Sequence, residues 1–155
     1  MITTSVFDMR GALPGGGALL ALDLGTKTIG TAFCDAGWRF ASPGKTIARG
    51  KFMADKAQLE GLIAERSIRG LVIGLPLNMD GSSGPRAQAS RAFARNLAVL
   101  GLPVLLWDER WSTASAERDM IAQDMSRAKR AEKIDSHAAA VILQGAIDRL
   151  AGGIF

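Results

Sequence analysis

The run Ala18-Leu19-Leu20-Ala21-Leu22 is continuously apolar and stops abruptly at Asp23, with Gly25 two residues further on. A stretch of that length without polar alternation suits a central strand covered on both faces, so the rest of the chain has to supply helices for two sides of a sheet. Thr31-Ala32-Phe33-Cys34 reads as the next strand, reached through the hairpin-length connection Gly25-Thr26-Lys27-Thr28. Asp35-Ala36-Gly37 offers another turn before a third strand from about Phe40 to Ile47. Three antiparallel strands therefore come first.

The pattern then changes. Leu59, Leu62 and Ile63 are three and four apart within a helix from about Phe52 to Arg66, and Gly70 precedes the buried-looking strand Leu71-Val72-Ile73. A loop from Gly74 to Gly84 leads to Pro85 and a helix whose Ala89, Phe93, Leu97 and Leu100 share one face. Val104-Leu105-Leu106-Trp107 is a fifth strand ending at Asp108-Glu109. Ser112 or Thr113 can cap a helix to about Met125, and a last helix starts near Asp135. The order βββ-α-β-α-β-α-α predicts an α/β fold: a mixed five-stranded sheet, three antiparallel strands then two parallel, with helices on both faces.

Residues 1–17, ending in Pro14-Gly15-Gly16-Gly17, read as a flexible N-terminal extension, and 18–155 as a single domain. With 48% apolar residues the chain can build a sizeable core. No stretch approaches the roughly 18 apolar residues of a membrane helix, and Met1-Ile2-Thr3-Thr4-Ser5 lacks a signal peptide's basic and apolar regions, so the expectation is a cytoplasmic protein with no membrane partner. One cysteine, Cys34, and one histidine, His137, exclude an internal disulfide, a Cys₄ or Cys₂His₂ zinc site and any site needing two imidazoles. Hard chemistry then falls mainly to carboxylates.

Asp23 ends an apolar strand, where a buried carboxylate must find a metal, a cation or hydrogen-bond donors, although a turn aspartate capping its own loop is the plainer alternative. Glu109 repeats the situation after Trp107, with a pair to Arg110 as the alternative, and Asp135 stands where it could equally cap a helix. With the first and fifth strands side by side and the last helix beside them, the three acids would share one pocket. At ~4 Å each like-charge pair costs on the order of 4 kcal/mol at an effective dielectric near 20, so such a cluster requires protons or cations. All-oxygen ligands select Mg²⁺ or Mn²⁺, and two such ions ~3.5–4 Å apart are suited to phosphodiester hydrolysis.

Four separated stretches carry a family resemblance: Leu22-Asp23-Leu24-Gly25-Thr26-Lys27-Thr28-Ile29-Gly30, Gly74-Leu75-Pro76-Leu77-Asn78-Met79-Asp80-Gly81, Asp108-Glu109-Arg110 and Ile134-Asp135-Ser136-His137-Ala138-Ala139. Over about residues 18–150 the chain resembles the YqgF (RuvX) family. The resemblance implies an RNase H-like nuclease domain and a metal-dependent endonuclease maturing the 5′ end of pre-16S ribosomal RNA, with the acidic cluster on Asp23, Glu109 and Asp135. Branched DNA, cut as by a Holliday junction resolvase, is the alternative substrate, and a non-catalytic RNA-binding or antitermination factor the alternative class. Ser112 departs from the threonine usual in the family but keeps the hydroxyl.

The net charge of +4, with pI near 9.7, suits a nucleic-acid partner without requiring one. Lys27 beside the acids could neutralise a phosphate, Asn78 could donate to a phosphate or base edge, and Arg110 could grip a phosphate unless it pairs with Asp108. Arg127, Lys129, Arg130 and Lys133 form a basic stretch leading into Asp135, favouring salt-sensitive backbone contact; Arg91 and Arg95 lie four apart on the outer face of their helix. His137, two residues from Asp135, points roughly 200° away around a helix, and Cys34 is most simply a core residue. Monomer and homodimer both remain open.

Overall fold

The computed structural model describes residues 1–111 and 127–152, and for Trp111 and residues 127–135 the backbone only. Strands β1 (Ile2–Thr3), β2 (Leu19–Leu24), β3 (Thr28–Cys34), β4 (Ala41–Pro43), β5 (Ile47–Ala48), β6 (Gly70–Leu75) and β7 (Val104–Asp108) form one sheet in the order β1-β7-β6-β2-β3-β4, with β5 also on β3. The helices are α1 (Val6–Ala12), α2 (Phe52–Arg66), α3 (Pro85–Leu97) and α4 (Arg127–Gly152). β2, β3 and the β4–β5 segment are antiparallel, whereas β2, β6 and β7 run parallel.

Period-two alternation divides the core in two. Leu20, Leu22, Leu71, Ile73 and Leu106 pack with Leu59 of α2 and with Phe93 and Leu97 of α3. Their neighbours Leu19, Ala21, Val72, Leu105 and Trp107 pack on the opposite face with Ala139, Ile142, Leu143 and Ala146 of α4. The continuous apolar strands thus have helices on both sides, as their composition demands.

The fold differs from the sequence expectation at the third strand, in the strand order and at the start of the last helix. The third strand is broken into β4 and β5, because Pro43 lacks a ladder donor and Gly44 bends in to give its N–H to the Thr31 carbonyl at 2.8 Å. The first and fifth expected strands, β2 and β7, are not neighbours: β6 lies between them, parallel to both. The last helix begins at Arg127, eight residues before Asp135, over a stretch rich in the helix formers Ala, Arg, Lys and Glu. A capped helix from Ser112 or Thr113 to Met125 falls outside the described residues.

Residues 1–17, expected as a loose extension, are built into the sheet and one helical layer. β1 adds to β7 in parallel, pairing Ile2 with Val104 and Thr3 with Leu105. Ser5 caps α1, its Oγ accepting from the Asp8 N–H at 3.3 Å, and Met9 and Leu13 are buried. Gly70 makes room for both: a Cβ there would lie 2.8 Å from Met9 Cε and 3.0 Å from Leu13 Cδ1. Arg10 donates from Nε and Nη2 to the carbonyls of Leu150 and Arg149, tying α1 to the C-terminal turn of α4. The glycines after Pro14 form a tight turn, with Gly16 at φ +77° and the Gly17 carbonyl accepting from Trp38 Nε1 at 2.8 Å. No helix among the described residues is long and apolar enough to cross a membrane.

Candidate active site

Asp23 is only 2% exposed. It shares the parity of Leu19 and Ala21, so its side chain leaves β2 on the face covered by α4. One residue beyond the Leu22–Ile73 pair, it comes level with Gly74 of β6, and Gly74 in turn pairs with Trp107 of β7. Glu109 follows β7 in a short 3₁₀ turn and extends back over Gly74: a Cβ on that glycine would stand 3.1 Å from Glu109 Oε2 and 2.8 Å from Ile142 Cδ1. Gly74 is therefore a cradle. Asp23 and the turn bearing Glu109 lie at the ends of the two strands that flank β6, and the missing side chain at Gly74 leaves the space into which Glu109 extends. The all-oxygen character of these two carboxylates, one deeply buried, fits a hard divalent cation.

α4 crosses this face obliquely. Ser136 donates to the Gly44 carbonyl at 3.0 Å and shares a 2.6 Å hydrogen bond with Thr46 Oγ1. Further along, Ile142 lies over Gly74, and Trp107 packs its indole on Gly145. Asp135 lies on α4, adjacent to the Ser136 anchor; its side chain, like those of Arg127, Lys129, Arg130 and Lys133, lies outside the described residues, as does Ser112. His137 is half-buried.

The turn that carries Asp23 is braced by two arginines. Arg49 Nη1 donates to the Gly25 carbonyl at 2.6 Å and Arg86 Nη2 to that of Leu24 at 3.3 Å. Lys27 is exposed at the tip of the turn, its carbonyl accepting from the Arg49 N–H, and its ammonium has no ion-pair partner among the described residues.

The loop after β6 is a compact knot. Ser82 gives both its N–H and its hydroxyl to Asp80 Oδ1, which holds that carboxyl below the usual carboxylate range, and Asn78 Nδ2 donates to Ser82 Oγ. Gly81, at φ +87°, closes the turn. Arg110 clasps Asp108 through Nε and Nη2, the shortest contact being 2.7 Å, and donates from Nη1 to the Met79 carbonyl. The hydrogen bonds to Asp108 raise the Arg110 pKa further. Of the two uses foreseen for Arg110, pairing with Asp108 is the one its geometry displays, and the Asn78 amide is likewise engaged inside its own loop. Cys34 is a core residue whose thiol is pushed up to about 11 by burial, leaving it without nucleophilic character at neutral pH.

Sequence reasoning did not single out Arg49 or Arg86, and it quoted Gly74 and Ser136 within their motifs without the roles seen here. Gly74 had a readable signal: it shares parity with Val72 at a strand end, where a missing side chain marks a close approach. Arg49 and Arg86 had none, since their partners are 24 and 62 positions away.

A model of the RuvX family, described as Holliday junction resolvase, matches residues 17–149. A protein of Novosphingobium aromaticivorans named "Putative pre-16S rRNA nuclease" is 68% identical over 155 residues, 100% of both chains. One of Sphingopyxis alaskensis with the same name is 69% identical over 150 residues, 97% of this chain and 99% of that one. Among solved structures, Thermus thermophilus RuvC in complex with a Holliday junction substrate superposes with a TM-score of 0.56 at 12% identity, covering 88% of this chain and 96% of that chain. That likeness concerns the fold, which is RuvC-like and hence RNase H-like.

Proposed function

The chain belongs to the RuvX family, and we propose that it is a metal-dependent endonuclease that hydrolyses phosphodiester bonds in the 5′-end maturation of pre-16S ribosomal RNA. The observation that supports the reading is a carboxylate buried at the end of β2, Asp23, with Glu109 reaching over Gly74 of the adjoining strand. Asp135 is the third acid of the proposal. It lies seven residues, two helical turns, before Ile142, so its position belongs to the same stripe of α4 that covers Gly74.

Asp23, Glu109 and Asp135 would hold Mg²⁺ or Mn²⁺, which when bound supplies positive charge and Lewis acidity at the scissile phosphate. The protein's own part is positional. Burial fixes the Asp23 carboxylate, Arg49 and Arg86 hold the carbonyls of the residues that follow it, and Gly74 sets how near Glu109 approaches. Lys27, exposed beside the acids, neutralises a neighbouring phosphate, and the basic stretch Arg127, Lys129, Arg130 and Lys133 gives salt-sensitive backbone contact. Asn78 and Arg110 have only their remaining N–H groups to offer a substrate.

The test is cleavage of labelled precursor 16S RNA and, side by side, of a four-way DNA junction, with Mg²⁺, Mn²⁺ or EDTA. RNA cleavage that needs the cation and falls about 100-fold or more in Asp23→Asn, equivalent to about 2.7 kcal/mol of transition-state stabilisation, is the expected result. Undiminished cleavage by Asp23→Asn overturns the mechanism, and preference for the junction overturns the substrate.

A further inference from the structure

β1 covers β7 only as far as Thr3 opposite Leu105, after which the chain turns away into α1. Among the described residues, the edge of β7 from Leu106 to Asp108 is left bordering a groove of about 480 Å³, a volume typical of small-ligand sites. Its walls are apolar: Leu77 and Leu106 from the sheet side, and Phe7 of α1, a residue 67% exposed. Its charged lining consists of Arg91 from α3, Arg149 from α4 and the carboxylate of Asp108. Asp108 is already neutralised by the two-pronged contact from Arg110. Neither Arg91 nor Arg149 has an ion-pair partner among the described residues; Arg91 donates only from Nε, to Ser83 Oγ.

Two uncompensated guanidinium groups from opposite helical layers, above an apolar floor with an exposed aromatic ring, match a ligand with a flat apolar part and a phosphate. Asp108, the residue before Glu109, lines the groove, so groove and proposed centre are joined through the end of β7. We propose that the groove along the open edge of β7 is a nucleotide subsite for an unpaired flank of the RNA, with Arg91 and Arg149 on its phosphates and Phe7 beneath a base. The proposal rests on the nuclease reading for its physiological role, but the binding is separable from cleavage. An acidic, aromatic peptide would satisfy the same charges; the nuclease reading, with the groove attached to the end of β7, favours RNA.

The experiment measures binding of a fluorescein-labelled five-nucleotide single-stranded RNA to the full chain in EDTA, where no turnover intervenes, over a salt series. Replacing both arginines, Arg91→Ala with Arg149→Ala, is expected to weaken binding about 10-fold or more and to lower the slope of log K against log salt by about 0.7 for each phosphate no longer neutralised. Phe7→Ala should weaken binding of that RNA several-fold but leave its affinity for an abasic flank unchanged. Arg39→Ala, which removes one charge from the exposed turn before β4, is the control and should have little effect. The proposal is overturned if the double variant binds like the control, if the five-nucleotide RNA does not bind at low salt, or if an acidic aromatic peptide displaces it and binds more tightly. Cleavage is scored separately. Loss of binding with cleavage of an unflanked substrate intact defeats neither reading and identifies the groove; wild-type binding without any metal-dependent cleavage defeats the nuclease reading alone.

Discussion

Asp23 and Glu109 stand at or just past the ends of strands two positions apart in the sheet, roughly 9–10 Å by ladder spacing, and Glu109 reaches over the strand between them only because Gly74 is empty. Gly74→Ala should therefore act on chemistry and on stability together. The added methyl meets Glu109 Oε2 and Ile142 Cδ1 inside their van der Waals limits, so the carboxylate and the tip of the Ile142 side chain are displaced. We expect cleavage to fall at least about 10-fold, with an overpacking cost of about 1–3 kcal/mol in a urea melt. Wild-type activity in the Gly74→Ala protein would show that the bare position is not what seats Glu109. The two acids were legible in the sequence as polar residues interrupting apolar strands. Their relation was legible only in part: the expected adjacency of β2 and β7 was wrong in strand order, and what the structure shows instead is Glu109 reaching over a bare position of β6, which periodicity does not announce.

The segment between β6 and α3 and the 3₁₀ turn after β7 are one mechanical unit, because Arg110 grips Asp108 on one and the Met79 carbonyl on the other. Arg110→Ala should release the loop, seen as faster proteolytic nicking between residues 76 and 84, while leaving the midpoint of global unfolding little changed, since the pair is solvent-accessible. Its effect on the salt slope of RNA binding should be nil, in contrast with Lys27→Ala, which should lower the slope by about 0.7. A lowered slope for Arg110→Ala restores the arginine to phosphate contact. The sequence offered both uses of Arg110 because a charged residue beside an acid of opposite sign looks the same whether or not a third group competes for it. Long-range partners decide the matter, as with Ser136, whose bonds to Gly44 and Thr46 span some 90 positions. From β2 to β7 the element order survived this limitation, apart from the break in the third strand, because it depends on local period and turn chemistry, which are written in consecutive residues.

The N-terminal segment shows where reading by composition misled. A triple glycine after a proline suggests a free tail, yet the sheet needs a cover for the α4 face near Gly70, and Met9 provides it. Met9→Ala should cost about 2–5 kcal/mol and lower Tm by roughly 4–15 °C in a calorimetric scan. A shift within about 1 °C would make the segment dispensable to the domain. The same segment shapes the groove beside β7, so its ordering bears on binding as well as on the core. Because β6 runs hydrogen-bonded between β2 and β7, the spacing of the strands at the proposed centre is inherited from the ladder itself. Asp23 sits within that frame, whereas Glu109 stands just outside it, on the 3₁₀ turn that Arg110 fastens to the neighbouring loop. Adjustment of the proposed centre then belongs to the parts outside the ladder, that turn and the helix bearing Asp135, and any control over turnover has to act there or on what is admitted.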